Sequence, residues 1–162
     1  MADVQSVFAP MVSFDPVDLT TANELLTAWS HKMGPCKRGN AVSWSHALFH
    51  ERAPVAVTIT SGLIRETVGG APFLNRDNCI KLSRLCASRS GLCRVALRLW
   101  REFVFPLLGY EYAISYQDAD AHNGNTYRFD GWKRISRSRS GSDPRSGRIG
   151  RDKWVWLWEA QR

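Results

Sequence analysis

The chain has 162 residues, 44% hydrophobic and 23% charged, with a net charge of +7 and an isoelectric point near 9.6. That length suits one domain with its own core, and the apolar share excludes a disordered chain. No apolar run approaches the ~18 residues of a bilayer crossing, and Met1-Ala2-Asp3-Val4-Gln5 lacks the basic-then-apolar order of a secretion leader, so a cytoplasmic protein without a membrane partner is expected.

Thr20 or Thr21 can cap a helix over 20–33, with Ala22, Leu25, Leu26 and Trp29 as its apolar stripe and Glu24 in capping-box order after Thr21. Gly34-Pro35 ends it. Cys36-Lys37-Arg38-Gly39-Asn40 reads as a basic turn. Residues 41–50 read as a strand, 51–54 as a hairpin turn, and 55–60 as its β-branched return. Residues 62–78 hold three glycines and Pro72 and read as a loop.

Residues 79–86 predict the next strand, and Arg89-Ser90-Gly91 a tight polar loop. An amphipathic helix follows over 92–105, with Leu92, Val95, Ala96, Leu99, Trp100, Phe103 and Val104 on one face. Pro106 ends or kinks it. Residues 110–117 predict a strand, 123–129 a short helix closed by Gly131, and 132–136 a short strand. Residues 138–150, rich in Ser, Gly and Arg, are expected to form a mobile basic loop. A last strand over 154–158 puts the indoles of Trp154, Trp156 and Trp158 on one face. No repeat or second domain interrupts residues 1–162.

The four cysteines contain no C-x-x-C pair. Cys79 and Cys86 are an odd number apart on one strand, which predicts opposite faces and no shared metal. Small, buried, reduced thiols are the expectation. His31 with Cys36 is the remaining metal candidate, although two ligands five apart make a weak set.

Between Lys133 and Lys153 eight basic residues oppose Asp143 and Asp152. A basic segment this concentrated suits a polyanion. Lys133, Arg134, Arg137, Arg139, Arg145 and Arg148, with Lys37 and Arg38 from the earlier turn, are candidate contacts to a nucleic acid. A merely solvated basic loop is the plainer alternative. The loop at Ser88–Cys93 opens a helix, where free N–H groups and the positive end of the helix dipole suit phosphate. Arg89 and Arg94 add charge there.

The order of hairpin strands, long strand, polar glycine loop, helix and strand resembles the GNAT N-acyltransferases. Their Q/R-x-x-G-x-G/A loop cradles the coenzyme A pyrophosphate. Here Ser88 takes the Q/R place, Gly91 the first glycine and Cys93 the final small residue. Within that superfamily the chain resembles the Mom proteins of bacteriophages over roughly residues 25–136. The matching residues are Leu82-Ser83-Arg84-Leu85-Cys86, then Leu108-Gly109-Tyr110, Tyr116-Gln117-Asp118, His122-Asn123-Gly124-Asn125-Thr126-Tyr127 and Gly131-Trp132.

The resemblance implies a GNAT-like α/β (α+β) domain with a mixed, mostly antiparallel sheet flanked by helices. It implies an enzyme that modifies double-stranded DNA at the exocyclic N6 amino group of adenine, a methylcarbamoyl-type change that blocks host restriction. Acetyl-CoA is the implied cofactor, held by Leu85, Cys86, Ser88, Arg89, Ser90, Gly91, Leu92 and Cys93. Iron has been suggested for the family, but no ligand motif here supports it. A phage-encoded member would work in the host cytoplasm, and its oligomeric state, a dimer included, stays open.

Adenine N6 is a poor nucleophile, so chemistry there needs a base, electrophile activation, or both. Asp118 and His122 are the candidate bases, and Arg84 could fix an anion or polarise a carbonyl. Tyr127 could donate to a leaving thiolate, as a tyrosine does in many GNAT enzymes. A duplex base must also leave the stack, and Trp132, Tyr127, Tyr116 and Trp44 are candidate stacking partners. Two other functions stay open: an ordinary GNAT acetyltransferase of a protein or small amine, and a non-catalytic DNA-binding module on the same scaffold.

Overall fold

The computed structural model describes residues 11–37, 42–139, 141–147 and 149–161. A seven-stranded sheet orders its strands β1-β2-β3-β6-β7-β9-β8. It is built from β1 (Val12–Val17), β2 (Ser43–His50), β3 (Ala53–Ser61), β6 (Cys79–Ala87), β7 (Tyr112–Asp118), β8 (Lys133–Arg139) and β9 (Asp152–Glu159). Every neighbouring pair is antiparallel except β6 and β7, which run parallel. The expected mixed, mostly antiparallel sheet is therefore present. β1 was not anticipated, because Pro16 interrupts a segment with little alternation.

Helix α1 (Leu19–Ala28) is shorter than its apolar stripe suggested. Its cap is Asp18, whose Oδ1 accepts from the Thr21 N–H at 2.7 Å, so the expected Thr21–Glu24 box does not form. Ser30 and Gly34 both take left-handed backbone, and the chain leaves the helix before His31. That early exit frees His31, Lys32 and Met33 for the site described below. Ala22 and Leu26 pack α1 against Val57, Ile59 and Cys86.

The β2–β3 turn falls at Glu51 and Arg52, both left-handed, which is the two-residue geometry that matches strand twist. The segment 62–78 is not wholly a loop. It contains a small hairpin of β4 (Thr67–Val68) and β5 (Ala71–Asn75) around Gly69-Gly70. Val68, Ala71 and Leu74 bury against Cys79, Ile114, Val155 and Leu157.

Helix α2 (Leu92–Leu99) continues as one π turn over Trp100–Val104 and a 3-10 turn over Phe105–Leu108. Pro106 has no N–H to give the Glu102 carbonyl, so a plain α-helix cannot continue. The wider turn shifts the buried face from Trp100 onward. Ala96, Leu97, Trp100, Val104 and Phe105 are inside, while Val95 and Phe103, expected on the core face, are exposed. Trp100 is fully buried and its indole donates to Thr60 Oγ1 at 2.7 Å, so truncation there should cost about 3–5 kcal/mol.

Helix α3 (Asn125–Phe129) closes as expected at Gly131. Trp132 N donates to Tyr127 O and Gly131 N to Arg128 O, the paired bonds of a glycine-terminated helix. Trp154, Trp156 and Trp158 share the face of β9 that α2 and α3 cover. β8 runs further than expected and takes in Ser138 and Arg139. Beyond it Asp143 turns the chain by accepting from Arg145 N and Ser146 Oγ.

Candidate active site

β6 and β7 pair from Cys79/Tyr112 to Leu82/Ser115 and then part. β6 goes on against β3 to Ala87, and β7 against β9 to Asp118. Between Leu82 and Arg84 the register with β3 shifts, so Ser83 is an extra, bulged residue. The bulge resets the alternation of β6. Arg84 and Cys86 therefore face α1, on the same side as Cys79, and the expectation that Cys79 and Cys86 oppose each other is wrong for this reason. All four cysteines are free thiols.

Where the strands part lies a cavity of about 220 Å³. The facing edges of β6 and β7 have no strand partner there among the described residues, so an extended, amide-bearing ligand could pair with them. The cavity is lined from both faces of the sheet. Cys93, Ser115, Gly124, Thr126 and Tyr127 come from the α2/α3 face, and His31, Lys32, Arg84, Asp118, Arg151 and Lys153 from the α1 face.

The α2/α3 wall is uncharged and fixed. Tyr127 is buried, stacks on Trp156 at 5.6 Å and meets Trp132 edge-on. Its hydroxyl bonds Ser115 Oγ at 2.7 Å. Burial pushes the phenol up to about 12, with the Ser115 bond acting the other way. Gln117 locks the turn that precedes α3: its Oε1 accepts from the Trp156 indole at 2.8 Å and its Nε2 donates to the His122 carbonyl. Gly124 starts α3 at φ +77°, and a Cβ there would lie 2.5 Å from the Trp156 ring and 2.6 Å from Gln117 Oε1. No other residue fits that position. Cys93 completes this wall, its thiol pushed up to about 11 by burial and by Cys86.

The α1 wall is charged. Asp118 Oδ2 forms an ion pair with Lys32 Nζ at 3.1 Å, and Arg151 lies at 4.0 Å. Its Oδ1 accepts from the N–H groups of Asp120 and Ala121. Burial alone would raise the carboxyl, but Lys32 and the two N–H groups outweigh it and hold it below its usual value. Arg84 donates from Nε to the Gly34 carbonyl at 3.0 Å and from Nη1 to the Ser83 carbonyl at 2.9 Å, stapling the loop after α1 to β6. Burial, then Arg84 and His122, push His31 down to about 4.

The four residues expected to be catalytic, Arg84, Asp118, His122 and Tyr127, thus line one cavity. Of the expected cofactor residues, Leu85 and Cys93 line it as well. Ser88, Arg89, Ser90 and Gly91 form the exposed loop into α2, with Gly91 left-handed at its cap. The Leu92 side chain packs instead with Leu48, Ala56 and Ala96, and that of Cys86 with Val57 and Ile59, because helix and bulge turn them away from the cavity. Trp132 is a core residue and Trp44, half-buried, packs against the same cluster, and neither lines the cavity. Tyr116 remains at the cavity. Cys36 is buried beside Ala22 and Leu26, whereas His31 lines the cavity. Among the described residues no group of three or more His, Cys, Asp or Glu could hold a metal.

On the edge strand β8 a second register shift places Arg134 and Arg137 together over Trp154, at 4.1 and 5.4 Å from the ring. Arg137 and Arg139 both pair with Asp152. Lys133, Arg145 and Lys37 are exposed, while Arg38 and Arg148 lie outside the described residues. Lys32 and Ser115 were not singled out from the sequence, while His31 was considered only as a metal ligand and Gly124 only as part of the matching motif. Ser115 was the findable one, as a hydroxyl between Ala113 and Gln117 on one face of β7.

No protein-family model and no curated protein matches the sequence. Solved structures do match its shape. The ribosomal-protein-S18-alanine N-acetyltransferase of Escherichia coli superposes with a TM-score of 0.64 at 13% identity, over 94% of this chain and 96% of that one. NAA60 of Arabidopsis thaliana, solved in complex with acetyl-CoA, gives 0.65 at 9% identity, over 92% and 99%. The yncA protein of Salmonella typhimurium, solved with its cofactor acetyl-CoA, gives 0.63 at 8% identity, over 94% and 96%. Strand order, the parting of β6 from β7 and these superpositions agree: the chain has the fold of the GNAT acetyltransferases.

Proposed function

We propose that the protein is an acyl-CoA-dependent N-acyltransferase, with acetyl-CoA as the donor. The observation that carries this reading is the slot between β6 and β7 with the Tyr127 hydroxyl on its wall. The open strand edges suit the two amides of a pantetheine arm, and the loop at Ser88–Gly91 with Arg89 and Arg94 suits its phosphates. When bound, the cofactor would supply an acyl thioester, whose acyl carbon would bond the amine nitrogen as the C–S bond breaks and the thiolate leaves. Tyr127, kept protonated by burial and oriented by Ser115, donates a hydrogen bond to charge building on the sulfur. His122 takes the proton from the amine. Asp118 is too firmly held as a carboxylate to be a good base, so it anchors Lys32 instead. Arg84 acts as a positioning residue for the loop that carries His31 and Lys32.

A finer reading is DNA modification at adenine N6, of the Mom type. It is favoured by the arginine row on β8, about two strand spacings or ~10 Å from β7. Incubating the protein with acetyl-CoA and duplex DNA, a lysine peptide or a polyamine, followed by mass spectrometry, separates the readings. A modified deoxyadenosine in digested DNA is the expected result of the finer one. Acetylated peptide or polyamine with unaltered nucleosides leaves the acyltransferase and removes DNA. No product on any acceptor and no acetyl-CoA binding removes both.

A further inference from the structure

A hydroxyl carries one proton, and two hydroxyls at the base of the slot form a row in which each proton has a definite direction. Ser115 Oγ donates to the Leu82 carbonyl at 3.3 Å. Its proton is thereby used, so the 2.7 Å bond between Ser115 and Tyr127 has Tyr127 as its donor. In this arrangement the phenol proton is committed to Ser115 and is not offered to a ligand. Leu82 and Ser115 face each other on the last paired rung of β6 and β7, so the row sits where the slot begins. The Tyr127 ring is not free to turn. It stacks on Trp156 and meets Trp132 edge-on. The Trp132 indole donates to Asp130 Oδ2 at 2.9 Å, and Asp130 takes two bonds from Arg101, at 2.9 and 3.1 Å. Arg101 in turn lies 4.3 Å over the Trp158 ring. Removing either partner of such a buried pair is costly, so this cage keeps one geometry. What remains free is rotation of the two O–H bonds.

We propose that Ser115 is a proton-direction switch: when a sulfur lone pair reaches the slot, the Ser115 O–H turns from the Leu82 carbonyl to Tyr127 Oη, and the Tyr127 O–H turns from Ser115 to the sulfur. The inference rests on the acyltransferase reading and adds a second residue to its leaving-group side. No O–H bond breaks in the turn. The row holds two hydrogen bonds before it, Tyr127 to Ser115 and Ser115 to Leu82, and two after it, Ser115 to Tyr127 and Tyr127 to the sulfur. The bond given up at Leu82 is long for a hydroxyl donor, so releasing it costs little. A phenol that accepts from Ser115 is polarised into a stronger donor, and charge on the sulfur then meets two aligned O–H dipoles instead of one. Ser115 is 2% exposed, so water does not compete for its proton.

The test is infrared spectroscopy of the full chain carrying 13C-labelled tyrosine, because the phenol C–O stretch distinguishes a hydroxyl that only donates from one that also accepts. Of the four tyrosines, the Tyr127 band is the one lost in Tyr127→Phe. In the free protein that band should be that of a donor only. Saturating coenzyme A should move it to that of a donor that also accepts, and desulfo-coenzyme A, which lacks the sulfur, should not. In Ser115→Ala the change on adding coenzyme A should vanish. The same substitution should lower kcat roughly 10-fold in the wild-type background, the weight of one hydrogen bond to a charged group. In the Tyr127→Phe background it should lower kcat less than ~2-fold, because the switch acts only through the phenol. A free-protein band of a phenol that already accepts, the same band change with desulfo-coenzyme A, or an equal kcat loss in both backgrounds would overturn the proposal. If coenzyme A does not bind, the transferase reading falls and the switch with it. If it binds and the band does not move, the transferase reading stands and the switch is removed.

Discussion

The two walls of the slot are made of opposite materials. The α2/α3 wall is aromatic, uncharged and closed: Tyr127 stacks on Trp156, bonds Ser115 and sits on a turn locked by Gln117 and Gly124. The α1 wall is ionic and half open, with Lys32, Arg84, Arg151 and Lys153 around Asp118. The difference separates two tasks. Stabilising a leaving sulfur needs a donor whose geometry does not drift, which close packing provides. Selecting an acceptor needs charge at an accessible mouth, which long side chains provide.

Mutations on the closed wall should therefore have the larger effects. Gly124→Ala forces a side chain into Trp156 and Gln117 at a left-handed position, and should destabilise the fold by about 3–5 kcal/mol in urea unfolding. A loss below ~1 kcal/mol would mean that the turn can shift and that the wall is softer than described. Tyr127→Phe keeps the ring stack and removes the donor, so kcat for acyl transfer should drop roughly 10²- to 10³-fold with acetyl-CoA affinity retained.

Effects on the ionic wall should be smaller and should depend on conditions. Asp118 has its carboxyl lowered in the folded state, so its stabilisation is present above about 3.8 and disappears as pH falls through the folded value. The urea midpoint of Asp118→Asn should lie below that of the wild type at pH 7, and the gap should close in acid. A gap that persists at pH 2 would show that packing, not charge, is lost. Smallest of all, Arg137→Ala on β8 should leave the fold intact and reduce the salt slope of DNA binding by about one phosphate contact. An unchanged slope would remove β8 from any DNA interface.

Much of this contrast could be read from the sequence, and the part that could not has identifiable causes. Strands β2, β3, β6, β7 and β9 announced themselves through β-branched runs and alternation, and Gly131 closed α3 as read. Arg84, Asp118, His122 and Tyr127 were picked out and do meet at one cavity. Two bulges were invisible, at Ser83 and between Arg134 and Ser136, since an extra residue leaves no compositional trace. The first put Cys86 on the wrong face, and the second brought two arginines onto one indole. The π turn at Trp100–Val104 likewise changed the helix face at Phe103, which simple periodicity had placed inside. His31 and Lys32 were missed as cavity residues because their place depends on where α1 stops, which the left-handed Ser30 decides and the apolar stripe does not.

The most direct test of the account is titration of the wild type and of Cys93→Phe with acetyl-CoA. Cys93 lines the slot beside Tyr127, and a phenyl ring there fills the space between the parted strands. Saturable one-site binding to the wild type is expected, and its loss in the variant, which should still unfold cooperatively. No binding to the wild type, or equal binding to both, would contradict the account.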